Sequence, residues 1–323
     1  MKIVSYCPIE DHLIEAMSES DPSLQVLVYP SIQELTDNCT DADIVFSGYD
    51  GETPDPFAQL VRQARKVKWI HTSTAGVDKL ICPELIDSGA ILTCSKGEVA
   101  GPSLAEHAMA LVLAISRNIA VMVRAGVWNK RANLNRGALE LKGMTMGIVG
   151  FGGSGQLLAR MALGFQMKVI ALGRTARASD VEGVDSVWGR ERLDELLEQS
   201  DVVAICAPGT DETRHMFDAA AFKKMKKTAI LTNIGRGDIV SDEALIQALQ
   251  EGEIAGAGLD VLEQEPLPDD SPLWQMDNVV LTPHIAGNSP NRNERNRETF
   301  AENFGRFVRG EKLVGQVDLE EGY

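Results

Sequence analysis

The run Gly150-Phe151-Gly152-Gly153-Ser154-Gly155 has the spacing G-x-G-x-x-G and lies between a strand-like apolar run, MTMGIVG (144–150), and an apolar helical pattern. The three glycines suit three separate demands. Gly150 permits a tight turn, Gly152 lets a pyrophosphate come close to the backbone, and Gly155 lets a helix close onto the strand. The helix N-terminus then turns amides and a positive dipole end toward an anion. Gly153 and Ser154 add flexibility and a hydroxyl able to bond the phosphates directly. A ligand-free glycine turn is the alternative, but the strand-turn-helix-strand context predicts a dinucleotide site.

The next run, KVIALG (168–173), sharpens that expectation. A fold that selects NAD usually closes this strand on an acid about 20 residues past the glycine loop, where it bonds the ribose hydroxyls. Here the strand closes on Gly173, followed by Arg174, Thr175 and Arg177. Gly173 leaves out the acid that repels a 2′-phosphate, Arg174 offers a planar fork, and Thr175 and Arg177 add a hydroxyl and a second charge. These residues predict NADP(H) as the preferred cofactor, with NAD(H) possible and a plain solvated basic turn as the competing reading. Arg236, Glu265 and His284 complete the chemistry-bearing set. Each lies near the C-terminal end of a strand-like run, TAILTNI (228–234), GAGLD (256–260) or NVVLTPH (278–284), at the edge where open α/β sheets bind ligands. Taken singly, they also read as a surface cation, one more acid and a strand-end histidine.

Strand-like and helix-like segments alternate through all 323 residues. A first series, KIVSY (2–6), LQVLVYP (24–30), ADIVFSG (42–48), KWIHTS (68–73) and ILTCSK (91–96), precedes the break at Gly101-Pro102. The helical pattern that follows is apolar on every side over 108–115, so it is expected to be buried. A second series of six strands, from MTMGIVG through DVVAICA (201–207) to NVVLTPH, predicts a doubly wound parallel sheet. A polar helix from Ser289 to Arg309 then carries Phe300, Phe304 and Phe307 on one face.

Composition sets the limits. With 47 Asp and Glu against 31 Lys and Arg, the net charge is −16, which argues against nucleic acid and anionic membrane surfaces as partners. No apolar run reaches the roughly 18 residues of a membrane span, and the start reads as a strand, so a cytoplasmic location is expected. The five cysteines form no C-x-x-C pair and read as small buried hydrophobes, with no metal site.

STAGVDKL (73–80), LAEHAMALVLAISR (104–117), the glycine loop, NIGRGDIVSDEALIQAL (233–249), GLDVLEQEPLP (258–268) and NVVLTPHIAGNS (278–289) together resemble the D-isomer-specific 2-hydroxyacid dehydrogenases over nearly the whole chain. The resemblance implies an α/β protein with a Rossmann-type nucleotide-binding domain (99–287) inserted into a flavodoxin-like substrate domain (1–98 and 288–323). It implies hydride transfer between NADP(H) and a small 2-oxo or 2-hydroxy acid, of the glyoxylate or hydroxypyruvate type. Phosphoglycerate and phosphite dehydrogenases stand as alternatives within the family, and a dinucleotide-sensing, corepressor-like binding protein as one outside enzymology. A homodimer around the 102–120 helix is implied by the same kinship.

Interconverting such acids needs a carboxylate anchor, a carbonyl polariser, a proton donor and a nicotinamide. The resemblance gives Arg236 the first two roles, makes His284 the general acid/base, and pairs Glu265 with His284. A neighbouring carboxylate lifts an imidazole pKa above its usual value of about 6.5, which keeps His284 protonated. Glu265 also separates the chain from formate dehydrogenase, which has glutamine there. By the same kinship, Thr74, Ala75 and Gly76 help bind the substrate, and Ala207, Pro208, Thr213, Ile234 and Asp260 join the cofactor contacts. His107 and the other histidines read as structural. The polar segment AGNSPNRNERNR after His284 reads foremost as a solvated helix face, with Arg292 or Arg295 as anion contacts the alternative.

Overall fold

The computed structural model describes residues 1–48, 54–126, 128 and 137–323. These form two compact units, Met1–Ala100 with Ser289–Tyr323, and Gly101–Asn288. In the first unit, β1 (Lys2–Ser5), β2 (Gln25–Val28), β3 (Ile44–Phe46), β4 (Trp69–Thr72) and β5 (Ile91–Cys94) make one parallel sheet in the order β2-β1-β3-β4-β5. That is the flavodoxin-like order. Every residue of β3 and β4 is buried, as a parallel strand covered on both faces requires, whereas edge strand β2 leaves Leu27 and Val28 exposed. The Pro290–Arg309 helix returns to this unit. It lays Phe300 and Phe304, one turn apart, against Ile3, Ile44, Phe46 and Trp69. Phe300 stacks on Phe46 and Trp69, with ring centroids 4.5 and 4.8 Å apart, and Phe307 is only partly buried beside them.

The second unit holds β6 (Thr145–Val149), β7 (Lys168–Leu172), β8 (Arg177–Ala178), β9 (Ser186–Trp188), β10 (Val202–Ile205), β11 (Ile230–Asn233), β12 (Gly256–Leu259) and β13 (Val279–Leu281). Their order is β13-β12-β11-β10-β6-β7-β9-β8, parallel except for β8 against β9. This corrects the six-strand expectation by two. Strands of two and three residues are too short to show a period in sequence, and β8 is exposed throughout. The strand order reverses between β6 and β10, so the crevice beyond their C-terminal ends is the natural ligand position of the sheet. Behind it runs the Gly101–Ser116 helix, whose Ala105, Ala108, Met109, Leu111 and Val112 are buried. Gly258 has no room for a side chain there, since a Cβ would stand 2.7 Å from that of Leu111. Among the described residues, no single helix is long and apolar enough to cross a membrane.

Candidate active site

The glycine loop joins β6 to the Gly153–Gly164 helix. Gly150 has φ +95°, and a Cβ on it would collide with the backbone of Ala207 after β10. A Cβ on Gly155 would collide with the carbonyl of Gly150. These contacts give the first and third glycines steric reasons. Gly152 differs: it caps the helix N-terminus, is exposed, and has nothing within 4 Å of a built Cβ. The loop is therefore closed against the protein and open on the side of Gly152, where the first-turn amides lack intrahelical partners. This shape fits a dinucleotide pyrophosphate, and Gly152, Gly153 and Ser154 are the residues that would hold it. Ala207 and Ile234 are buried beside the loop, Pro208 is exposed, and the Thr213 hydroxyl donates to the Pro208 carbonyl at 2.9 Å while accepting from the Thr210 amide. Thr213 thus closes the loop after β10 on itself.

Beyond β7, the Gly173 amide donates to Trp188 of β9, and a Cβ on Gly173 would press on Val187 at 3.1 Å. A side chain at this position would have to displace Val187 slightly. Arg174 and Thr175 are exposed. Arg177 is engaged differently: Nη2 donates to the Phe151 carbonyl, inside the glycine loop, at 2.7 Å. Arg192 lies 3.4 Å above the Trp188 ring, so β9 carries a cation–π pair that the sequence reading did not anticipate.

Arg236 stands just past β11, at the start of a short helical turn, Gly237–Ile239. Buried Asn233 fixes this corner: its side-chain amide donates to the Arg236 carbonyl at 2.9 Å and its Oδ1 accepts from the Gly235 amide at 3.0 Å. A Cβ on Gly237 would run into the carbonyl of Leu262, which brings the Arg236 corner against the segment that carries Glu265. Arg236 is half-buried, and its guanidinium donates to the Gly235 carbonyl.

His284 follows β13 with φ +54°, in the left-handed region. Asp260, only 3% exposed, holds that turn. Its carboxylate accepts from the Thr282 hydroxyl at 2.6 Å and from the amides of Ile285 and Ala286 at 2.9 and 2.8 Å, and its carbonyl accepts from the His284 amide. Expected among the cofactor contacts, Asp260 is placed by the structure under the His284 turn with its carboxylate oxygens bonded to protein donors. His107 Nε2 in turn donates to Thr282 at 2.8 Å. Asn233 and Thr282 were not read as site residues. The Asn-x-Gly turn signal in NIGRG was available for the first, and nothing local marks the second.

Glu265 and His284 meet directly. Glu265 Oε1 accepts from the Leu262 amide at 3.0 Å, and Oε2 lies 2.7 Å from His284 Nδ1. The carboxylate accepts only, so Nδ1 carries the proton and Nε2 is left as the exchangeable position. The hydrogen bond to Glu265 raises the His284 pKa; burial opposes it, the charges of Glu265 and Asp260 add to it, and Arg236 subtracts. The imidazolium is therefore favoured, as a proton donor needs. Glu265→Gln removes the largest raising cause, so the His284 pKa is expected to fall and, with His284 as the proton donor, the pH range for oxo-acid reduction to retreat toward acid. The reverse oxidation, which needs the neutral ring, extends to lower pH. Rate profiles in both directions check this, and superimposable profiles for mutant and wild type remove Glu265 from the mechanism.

In the first unit, the Thr74–Gly76 loop follows β4 and is half-buried. The Ser95 amide donates to the Thr74 carbonyl at 2.8 Å. Ser73, just before it, is held by the Pro290–Arg309 helix: Arg292 donates to its carbonyl and Asn296 to its hydroxyl. The expectation of a solvated face is corrected here. Arg292 and Arg295 are half-buried, Arg295 donating to the Val99 carbonyl at 2.9 and 3.1 Å, and Asn296 is buried.

Known proteins match this arrangement. The family model for the D-isomer specific 2-hydroxyacid dehydrogenase NAD binding domain matches residues 109–286. A glyoxylate reductase of Thermofilum pendens is 39% identical over 295 residues, spanning 90% of this chain and 86% of its own length. One from Korarchaeum cryptofilum is 38% identical over 299 residues, with 90% and 87% covered. Among solved structures, a D-isomer specific 2-hydroxyacid dehydrogenase family protein from Aeromonas salmonicida superposes with a TM-score of 0.80 at 30% identity, covering 98% of this chain and 99% of that one. The NADPH-dependent glyoxylate/hydroxypyruvate reductase of Sinorhizobium meliloti, in complex with NADP and sulfate, gives 0.79 at 26% identity, with 100% and 99% covered. With a Rossmann-type sheet and a glycine loop shaped for a dinucleotide, the chain belongs to the D-isomer-specific 2-hydroxyacid dehydrogenases, which act with a nicotinamide cofactor on the CH–OH group of small 2-hydroxy acids.

Proposed function

We propose that this protein reduces a small 2-oxo acid of the glyoxylate or hydroxypyruvate type to the D-2-hydroxy acid, with NADPH preferred over NADH. The observation that carries the reaction is the Glu265–His284 contact at 2.7 Å, with Nε2 left over as the proton-donating atom. In this reading the Arg236 guanidinium anchors the substrate carboxylate and draws electron density from the oxo group. His284 gives its Nε2 proton to the oxygen as negative charge develops there, and Glu265 holds the ring in the correct tautomer throughout. The nicotinamide, when bound, supplies the hydride. The left-handed turn under Asp260 fixes the ring against its backbone, so the proton is delivered from a preset direction. By kinship the Thr74–Gly76 loop also offers backbone amides that suit a carboxylate.

The substrate class draws on the glyoxylate reductases that this chain resembles, and the cofactor preference on Gly173 and Arg174 at the end of β7. A homodimer accords with the apolar side chains exposed on and beside the Ile119–Ala125 helix, Val123 at 74% and Trp128 at 91%. The test is NADPH oxidation, followed by absorbance, against a panel of 2-oxo acids. Turnover in the ordinary enzymatic range of about 1–1000 per second on glyoxylate or hydroxypyruvate is expected. Turnover below about 0.1 per second on every member overturns the reading in favour of a dinucleotide-binding protein without this activity.

A further inference from the structure

The Gly101–Ser116 helix buries small and apolar residues against the sheet, yet it carries two half-buried polar side chains, Ser103 and His107, four positions apart and so on one face. Both reach the same turn. Ser103 Oγ donates to the Gly287 carbonyl at 3.3 Å, and His107 Nε2 donates to the Thr282 hydroxyl at 2.8 Å. The helix thus grips the segment that carries His284 at both ends, across 184 and 175 positions of sequence. All of these groups belong to the Gly101–Asn288 unit.

Asp260 fixes the direction of the His107 link. Its carboxylate can only accept, so the single Thr282 hydroxyl proton goes to Asp260 at 2.6 Å. The Thr282 oxygen is then an acceptor toward His107, whose Nε2 must carry a hydrogen. His107, Thr282 and Asp260 form a one-way line of donors, with His107 Nε2 also 3.6 Å from Asp260 Oδ1. In low-dielectric surroundings each donor in such a line polarises the next. The line ends on the buried residue that bonds the Ile285 and Ala286 amides through its carboxylate and the His284 amide through its carbonyl. His284 needs that support, because a residue with a Cβ adopts φ +54° only at a cost. A loosened turn relaxes toward ordinary backbone angles and draws the ring off Glu265, which lies 2.7 Å from Nδ1.

We infer that His107 is a positioning residue for the reaction: through Thr282 and Asp260 it holds the 282–287 turn in the conformation that keeps the His284 ring on Glu265. The inference rests on the proposed function, in which His284 is the proton donor, and gives His107 a part in the chemistry that its place in an apolar helix does not suggest.

The test follows glyoxylate reduction against pH for wild type, His107→Leu, His107→Gln, Thr282→Val and the variant combining His107→Leu with Thr282→Val. NADPH-binding sites are counted by titration, and thermal unfolding serves as a folding control. His107→Leu removes the donor and is expected to lower kcat per NADPH-binding site by about 3- to 10-fold, the range of one net hydrogen bond. KM for the acid should change by less than about 2-fold, since the substrate anchor is untouched. Glu265 and Asp260 raise the His284 pKa and Arg236 lowers it; the Glu265 hydrogen bond is the largest of these and depends on where the ring lies. The alkaline limit of reduction should therefore move toward acid in His107→Leu, which a loss of stability alone does not cause. His107→Gln, whose side-chain amide offers an N–H, should restore both rate and profile. Thr282→Val breaks the line at its middle, so the combined variant should lose no more than Thr282→Val alone. A His107→Leu enzyme with the wild-type rate and profile overturns the inference. So do equal losses in His107→Leu and His107→Gln, which make ring packing the cause, and additive losses in the combined variant. Should His107→Leu not fold, Thr282→Val decides, and a wild-type rate and profile there overturns the inference as well. Wild type without turnover on any 2-oxo acid sinks the proposed function itself, an outcome distinct from these.

Discussion

His284→Ala is expected to lower the turnover of 2-oxo acid reduction by about 100- to 10,000-fold while leaving NADPH affinity nearly intact. The size follows from losing the group proposed to protonate the developing alkoxide while the hydride path and the carboxylate anchor remain. The turn does not depend on the ring, because Asp260 grips it through Thr282, Ile285 and Ala286. Alanine is nevertheless strained at φ +54°. His284→Asn is therefore the cleaner companion, since asparagine visits the left-handed region readily and also lacks the proton donor. Both variants should lose turnover to a similar extent. If His284→Asn keeps the wild-type rate, the proton comes from elsewhere and the assignment is wrong.

The parts of this molecule that were legible in sequence are those where one residue type alone satisfies a local demand. Gly150 and Gly155 are unavoidable because a Cβ at either would strike backbone, and that demand recurs at fixed spacing. Buried parallel strands such as β3 and β10 announced themselves as apolar runs. The two short strands β8 and β9 carry no period, so the hairpin that ties Arg177 to Phe151 was invisible. The clamp on His284 was hidden for a different reason: Asp260 and Thr282 are 22 positions apart, and the bond between them leaves no local trace. Arg292 was hidden most deeply, because its partner Ser73 lies 219 positions away and its helix looks polar enough to face water. Long-range hydrogen bonding, which sequence spacing does not encode, decided its environment.

Arg174→Ala is expected to weaken NADPH binding by about 10- to 150-fold and to change NADH binding little. The range is that of one charge-assisted contact to a phosphate, about 1.5–3 kcal/mol. The prediction turns on a division of labour between two arginines that look alike in sequence. Arg177 spends one arm of its guanidinium on the Phe151 carbonyl, so it braces the loop that any dinucleotide must use. Arg177→Ala should accordingly weaken NADPH and NADH together, by a smaller factor. Arg174 is exposed directly after Gly173, where no acid stands to bond the ribose hydroxyls and repel a 2′-phosphate. Its loss should act on the phosphate alone. Dissociation constants for both cofactors, measured by titration with wild type and each variant, separate the cases. If Arg174→Ala weakens both cofactors equally, or wild type binds NADH as tightly as NADPH, Arg174 does not read the phosphate. If Arg177→Ala instead erases the preference while Arg174→Ala keeps it, the two roles are exchanged, and the bond to Phe151 must open when the cofactor enters.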